Sequence, residues 1–184
     1  MLILLPPSEK KSPQAGAAID VYTGVLYKAL DWQSLSDTSQ ARGQKSIGII
    51  SAKYGLLRPM DEIEPYKQKI NIASMRGEIT RTLESIENKL IIDCRSSTYK
   101  GVWTPPHSKT VEIRVFMQID GVKKVITHMS KKTRGEVTRL LLQSKSNPTN
   151  PEELQAIISA AYACELLAPS KTSPWRLEVT ILNA

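Results

Sequence analysis

Short apolar runs that end at once in polar turns are the feature that most limits what this chain can fold into. Leu2 to Leu5, Ser46 to Ser51 and Leu90 to Cys94 are nearly continuous in Ile and Leu. Strands of that kind bury both faces, which suits a largely parallel sheet covered by helices on each side. Val111 to Ile119, Lys123 to Thr127 and Arg176 to Leu182 also read as strands. Asp120-Gly121, between two of them, is a strong hairpin turn signal. Helical patterns fit Tyr22 to Leu30, Arg76 to Ile86, Lys131 to Gln143 and Pro151 to Ala163, the last opened by Asn150 as cap and Pro151 at the first helical position. The predicted fold is α/β, a mixed sheet with parallel central strands, an antiparallel hairpin and flanking helices. A chain of 184 residues without a long linker or repeat is expected to form one domain, residues 1–184.

Charge is unevenly spread. The net +7 comes entirely from residues 67–145, where 16 basic side chains face 7 acidic ones. Such a surplus attracts phosphate-bearing ligands or nucleic acid, or simply solvates a basic surface. The apolar opening stops at Pro6-Pro7, too short for a signal peptide, and no segment approaches a membrane span. A cytoplasmic protein is expected, with no membrane partner. Cys94 in an apolar run and Cys164 in an alanine-rich, helix-like stretch suggest buried thiols. With only His107 and His128 beside them, neither a disulfide framework, a metal site nor a cofactor is predicted.

Ligands of open α/β sheets bind beyond the carboxyl ends of the strands. The turns found there are alike. After the first run come Ser8, Glu9 and Lys10, after the second Ser51, Lys53 and Tyr54, and after the third Asp93, Arg95 and Ser96. Each offers a hydroxyl and a cation, a set that donates several hydrogen bonds to an anion. Taken singly, Ser96 also fits a helix cap and Asp93 a partner for a nearby Arg. A fourth segment, His128 to Gly135, carries Lys131, Lys132 and Arg134 after Ser130, which reads as an N-cap. Cations in a first helical turn oppose the helix dipole, so either an anion binds there or the side chains bend into solvent. Lys10, Lys53, Arg95 and Lys131 or Arg134 are expected to line one pocket. Arg58 and Tyr66 complete the candidate set. No nucleophile elbow, phosphate-binding glycine loop or zinc-protease motif appears. Glu9, Lys53, Asp93 and His128 remain candidate acid-base groups for an alternative in which the pocket acts on a nucleotide or nucleobase.

Met1 to Lys10, Tyr22-Thr-Gly-Val-Leu-Tyr27, Ser51 to Pro59, Pro65-Tyr66, Asp93-Cys-Arg-Ser96 with Tyr99, and Ser130 to Gly135 together resemble the peroxide stress protein YaaA family, in order along nearly the whole chain. The resemblance implies a cytosolic mixed α/β protein that limits oxidative damage and free intracellular iron and binds DNA. Family members place several dozen residues, including a helix-hairpin-helix-like element, where only Lys11 to Val21 stand here. DNA binding therefore rests on the basic middle region, and is expected to be weak, non-specific and steeply salt-dependent, with a phosphate-bearing small molecule or nucleotide bound more tightly.

Overall fold

The structure is a computed structural model that describes residues 1–182. Its centre is β1 (Leu2–Leu5), flanked by β3 (Ile47–Ser51) and β6 (Ile91–Asp93), both parallel to it. The pairings Ile3↔Ile47 and Ile3↔Ile92 set three apolar strands side by side. Parallel pairing continues outward from β6 to β7 (Thr110–Ile119) and from β7 to β10 (Trp175–Leu182). Three strands run the other way. They are β4 (Gly55–Leu57) on β3, β8 (Val122–Lys124) on β7 and β9 (Ala163–Leu167) on β10. The sheet order is β4-β3-β1-β6-β7-β10-β9, with β8 beside β7, and a separate two-stranded ribbon joins β2 (Gly16–Ala17) to β5 (Glu62–Ile63). The mixed sheet and its antiparallel hairpin match the expectation from the apolar runs. Asp120 and Gly121 at the hairpin both have positive φ, 52° and 77°, as the mirror-image turn requires.

Alternate residues of the central strands feed two cores. Ile3, Leu5, Ile49, Ile92 and Cys94 face α1 (Ala18–Val21), α2 (Val25–Leu30), α6 (Thr127–Gln143) and α7 (Pro151–Ser159). Leu2, Leu4, Ile50 and Ile91 face α4 (Ile72–Glu84), Val102 and Trp103. Helices on both faces are what strands apolar on both sides demand.

Several elements differ from the sequence reading, among them the helix expected over Arg76 to Ile86, which spans Ile72–Glu84. Strand β8 ends at Lys124 and α6 begins at Thr127, so Ser130 lies within the helix and its hydroxyl donates to the Ile126 carbonyl at 3.0 Å. Lys131, Lys132 and Arg134 thus fall beyond the first turn, and the dipole argument for an anion there no longer applies. Helix α7 stops at Ser159, and the alanine-rich stretch after it pairs as β9 along β10, leaving Cys164 half-exposed in a strand rather than buried in a helix. Pairing with an open sheet edge overrides helix propensity there. The helix expected from Tyr22 begins only at Val25, after a break from α1. Finally, α3 (Asp37–Ser46) is a polar helix with little apolar periodicity, capped by the Ser36 hydroxyl accepting from Ser39 N at 3.3 Å.

Candidate functional site

The carboxyl ends of β1, β3 and β6 meet around a cluster of phenols. Ser51, the last residue of β3, is fully buried, and its Oγ accepts from Lys53 N at 3.2 Å and from Tyr54 N at 3.1 Å. Both lone pairs being used, its hydrogen goes to Tyr66 Oη, 2.8 Å away. Tyr66 Oη also accepts from Ala52 N at 3.3 Å and shares a hydrogen bond of 2.9 Å with Tyr22 Oη. Ser51, Tyr66 and Tyr22 thus form one hydrogen-bonded row of hydroxyls. Burial, then the neighbouring phenols, pushes the Tyr27 hydroxyl well above its ordinary range; burial likewise raises Tyr22. Tyr99 is pushed up to about 12 by burial, then by Tyr66 and Glu9. These phenols stay protonated at neutral pH, so they are donors.

Lys11 lies over this cluster, its Nζ 4.1 Å from the Tyr66 ring centroid and 5.6 Å from that of Tyr22. One N–H donates to the Ser8 carbonyl at 2.8 Å; an ammonium has three donors. Burial lowers its pKa, opposed by the charge of Glu9. Lys11 reaches this place because residues 11 and 22 pair as a bridge across the β1 loop. Ser8 is held by Gly24, where a Cβ would overlap the Ser8 hydroxyl.

The residues singled out in the sequence have different fates. Arg95 and Asp93 form a buried ion pair at 2.8 Å. The Arg95 Nε and Nη2 bond the two carboxylate oxygens, and its remaining N–H groups reach the Tyr99 and Trp103 carbonyls. Every donor is used, so Arg95 locks the loop after β6, including α5 (Ser97–Lys100), and projects no free cation. Ser96 stands at the N-cap position of α5 without a side-chain capping bond. Arg58 is carried back along β3 by antiparallel β4, where its guanidinium bonds the Ile47 carbonyl at 3.1 Å. It therefore sits at the amino end of the sheet, away from Ser51, because a hairpin reverses direction. Lys10 and Lys53 are exposed, Lys53 lying 4.8 Å over the Tyr54 ring and 3.9 Å from Glu64. His128, Lys131 and Lys132 are exposed on α6, Lys132 pairing with Glu136 at 3.5 Å. Arg134 turns inward toward Cys94 and the Ile113 carbonyl, and its Nε is buried without a partner. The expected single pocket of Lys10, Lys53, Arg95 and Lys131 or Arg134 is not what the strand ends build. Lys11 and Tyr22 take that place, and no local signal marks Lys11, because only the long-range bridge to Tyr22 selects it over Lys10.

Among the described residues no group of three or more His, Cys, Asp or Glu side chains is placed to hold a metal ion. No helix there is long and apolar enough to cross a membrane.

Fold and site thus define a mixed α/β protein with a hydroxyl-rich, cation-covered cluster at its strand ends. Residues 7–166 match the family described as peroxide stress protein YaaA, and the chain belongs to that family. It is 33% identical to a UPF0246 protein of Streptomyces coelicolor over 91% of this chain and 70% of that one. A UPF0246 protein of Corynebacterium glutamicum is 31% identical over 87% of this chain and 73% of the relative. One from Shewanella woodyi is 31% identical over 80% and 64%.

Proposed function

We propose that the protein acts in the cytoplasmic peroxide-stress response by holding a phosphate-bearing ligand, a nucleotide above all, at the carboxyl ends of β1, β3 and β6. Family membership supports the setting. One observation carries the ligand chemistry: the hydroxyls of Ser51, Tyr66 and Tyr22 form one hydrogen-bonded row, and the Lys11 ammonium lies over the Tyr66 and Tyr22 rings. Protonated hydroxyls beside an ammonium with N–H groups to spare suit an anion, and phosphate oxygens accept several hydrogen bonds at once. Exposed Lys10, Lys53, Lys131 and Lys132 add long-range attraction for anions and a weak, salt-sensitive affinity for DNA.

The test is titration of inorganic phosphate and a nucleotide panel by calorimetry into wild type, Lys11→Ala and Tyr22→Phe, each checked for native circular dichroism. Loss of a charged hydrogen bond weakens binding by about tenfold or more, and loss of a neutral one by roughly two- to tenfold. Wild-type affinity in both variants would overturn the reading. Duplex DNA titrated at two salt concentrations is expected to bind weakly, with affinity falling steeply as salt rises.

A further inference from the structure

Glu112 of β7 and Arg176 of β10 stand directly opposite each other in the parallel ladder. Their neighbours Val111, Ile113 and Leu177 fill the core under α6 and α7, so both charged side chains lie on the other face of the sheet. Opposite charges placed in this way attract, yet these two form no ion pair. Glu112 Oε1 is taken by Lys100 and Arg114, whereas its Oε2 accepts no hydrogen bond and is not shut off from solvent. Burial raises the Glu112 carboxyl, but Lys100 and Arg114 outweigh it, so the group is an ionised acceptor at neutral pH. Arg176 is half-buried and has no hydrogen-bond or ion-pair partner among the described residues. Its Nε is cut off from solvent, but its two Nη atoms are not, which leaves the outer fork of the guanidinium open. A cavity of about 140 Å³ adjoins the pair, lined by Glu112, Lys100, Trp103, Pro105 and Pro174 among others. Arg176 stands at its rim by register, opposite Glu112 and two residues along the same face from Pro174.

We infer that this place binds a small α-amino acid as its zwitterion, the ammonium donating to Glu112 Oε2, the carboxylate accepting from the Arg176 fork and the apolar side chain lying against Trp103 and Pro174. Three observations set that chemistry. An accessible acceptor and an accessible cationic donor lie side by side without bonding each other, so the ligand brings both a donor and an anion. A guanidinium fork suits a carboxylate, which accepts from both Nη atoms at once. The volume is well below the ~300 Å³ at which drug-sized sites begin, which limits the side chain to a few carbons. Ligands with one charge fit less well. A simple anion meets the Glu112 carboxylate, and a simple amine meets Lys100, Arg114 and Arg176. The site uses neither Lys11 nor Tyr22, so it stands or falls apart from the phosphate reading.

The experiment is an NMR titration of the isotopically labelled full chain with L-alanine, L-valine and L-leucine at millimolar concentration. The Trp103 indole and Arg176 Nε signals are expected to shift together with at least one of them. Isobutylamine and isovalerate, which are valine without its carboxylate and without its ammonium, separate the two halves of the recognition. Each is expected to bind at least about tenfold more weakly than valine, as loss of a charged hydrogen bond requires. Glu112→Gln and Arg176→Gln are expected to weaken amino-acid binding by a similar factor. Arg176→Gln removes no hydrogen bond or ion pair of the folded protein, and so tests the site even where Glu112→Gln perturbs the fold. The inference is overturned by silent Trp103 and Arg176 signals with all three amino acids, by an analogue that binds as well as valine, or by wild-type affinity in either folded variant.

Discussion

Gly135 of α6 lies so close to Leu26 of α2 that a Cβ on residue 135 would overlap the Leu26 carbonyl oxygen and stand 2.9 Å from the Ala29 Cβ. Two stretches that read as contributors to a site, Tyr22 to Tyr27 and Ser130 to Gly135, thus meet as a packing contact. Arg139, four residues on, fastens the same pair of helices by donating to the Leu30 carbonyl at 3.0 Å and the Asp31 carbonyl at 2.8 Å. Part of what looks like chemistry in those motifs is the condition for α2 to approach α6 and hold Tyr22 and Tyr27 at the strand ends.

Gly135→Ala is therefore expected to destabilise the protein, although alanine is the better helix former by about 1 kcal/mol. The obstacle is main chain, which cannot swing aside, and overpacking of this kind costs roughly 1 to 3 kcal/mol. Gly77 in α4 is the control, since a Cβ there meets nothing within 4 Å. Gly77→Ala should raise stability by about 0.4 to 1 kcal/mol. Urea unfolding of both variants checks the pair. A Gly135→Ala protein as stable as wild type would show that the two helices separate readily.

The contrast between these glycines illustrates how much was legible in the sequence. The buried strands announce themselves, because Leu2 to Leu5 and Ile91-Ile92 have no polar face to offer water. Asp120-Gly121 gave the hairpin for the same local reason. What depends on the partner of a segment is hidden. Nothing near Ala163 to Leu167 says that it lies along β10. Nothing in Ser51 to Pro59 says that Arg58 doubles back, although the turn at Gly55, with φ of 73°, is its cause. Equally, Lys10 and Lys11 are equivalent on paper, and only pairing with Tyr22 separates them. Strand ends were readable as a location, but which side chains face inward there was not.

A pH dependence follows from the face of the sheet beyond Asp93. Burial pushes the Glu112 carboxyl up, but the hydrogen bonds and charges of Lys100 at 2.5 Å and Arg114 at 3.0 Å outweigh it and hold the group below its usual range. A carboxyl lowered on folding adds stability that is complete above its unfolded pKa of about 4.3 and is lost as pH falls through the folded value. Wild type should lose stability on acidification below about pH 4.3, and Glu112→Gln should lose less over that interval while being less stable at neutral pH. Denaturant midpoints at neutral pH and across the acid range decide the matter. Parallel curves for the two proteins would mean that Glu112 does not contribute.

Peroxide attacks cysteine through its thiolate, and the described residues include two free cysteines, Cys94 and Cys164. Cys94 follows β6 directly and belongs to the Asp93 to Ser96 stretch, which makes it the obvious thiol to suspect in a peroxide-stress protein. Its environment argues otherwise. The side chain is fully buried, and burial pushes the thiol up to about 12 in spite of the nearby Arg134 charge. Thiolate is the reactive form, and oxidation follows thiolate character together with access. Cys164 in β9 is half-exposed, its Sγ 3.0 Å from the Ser159 hydroxyl. With native protein at neutral pH, a thiol-alkylating reagent should therefore modify Cys164 and leave Cys94 untouched until denaturant is added, as read by mass spectrometry of the peptides. Dilute hydrogen peroxide should follow the same order, and Cys94→Ala should respond to it as wild type does. Rapid oxidation of Cys94 in the folded protein would require the α6 face of the sheet to open, and would make that buried thiol a place where peroxide acts.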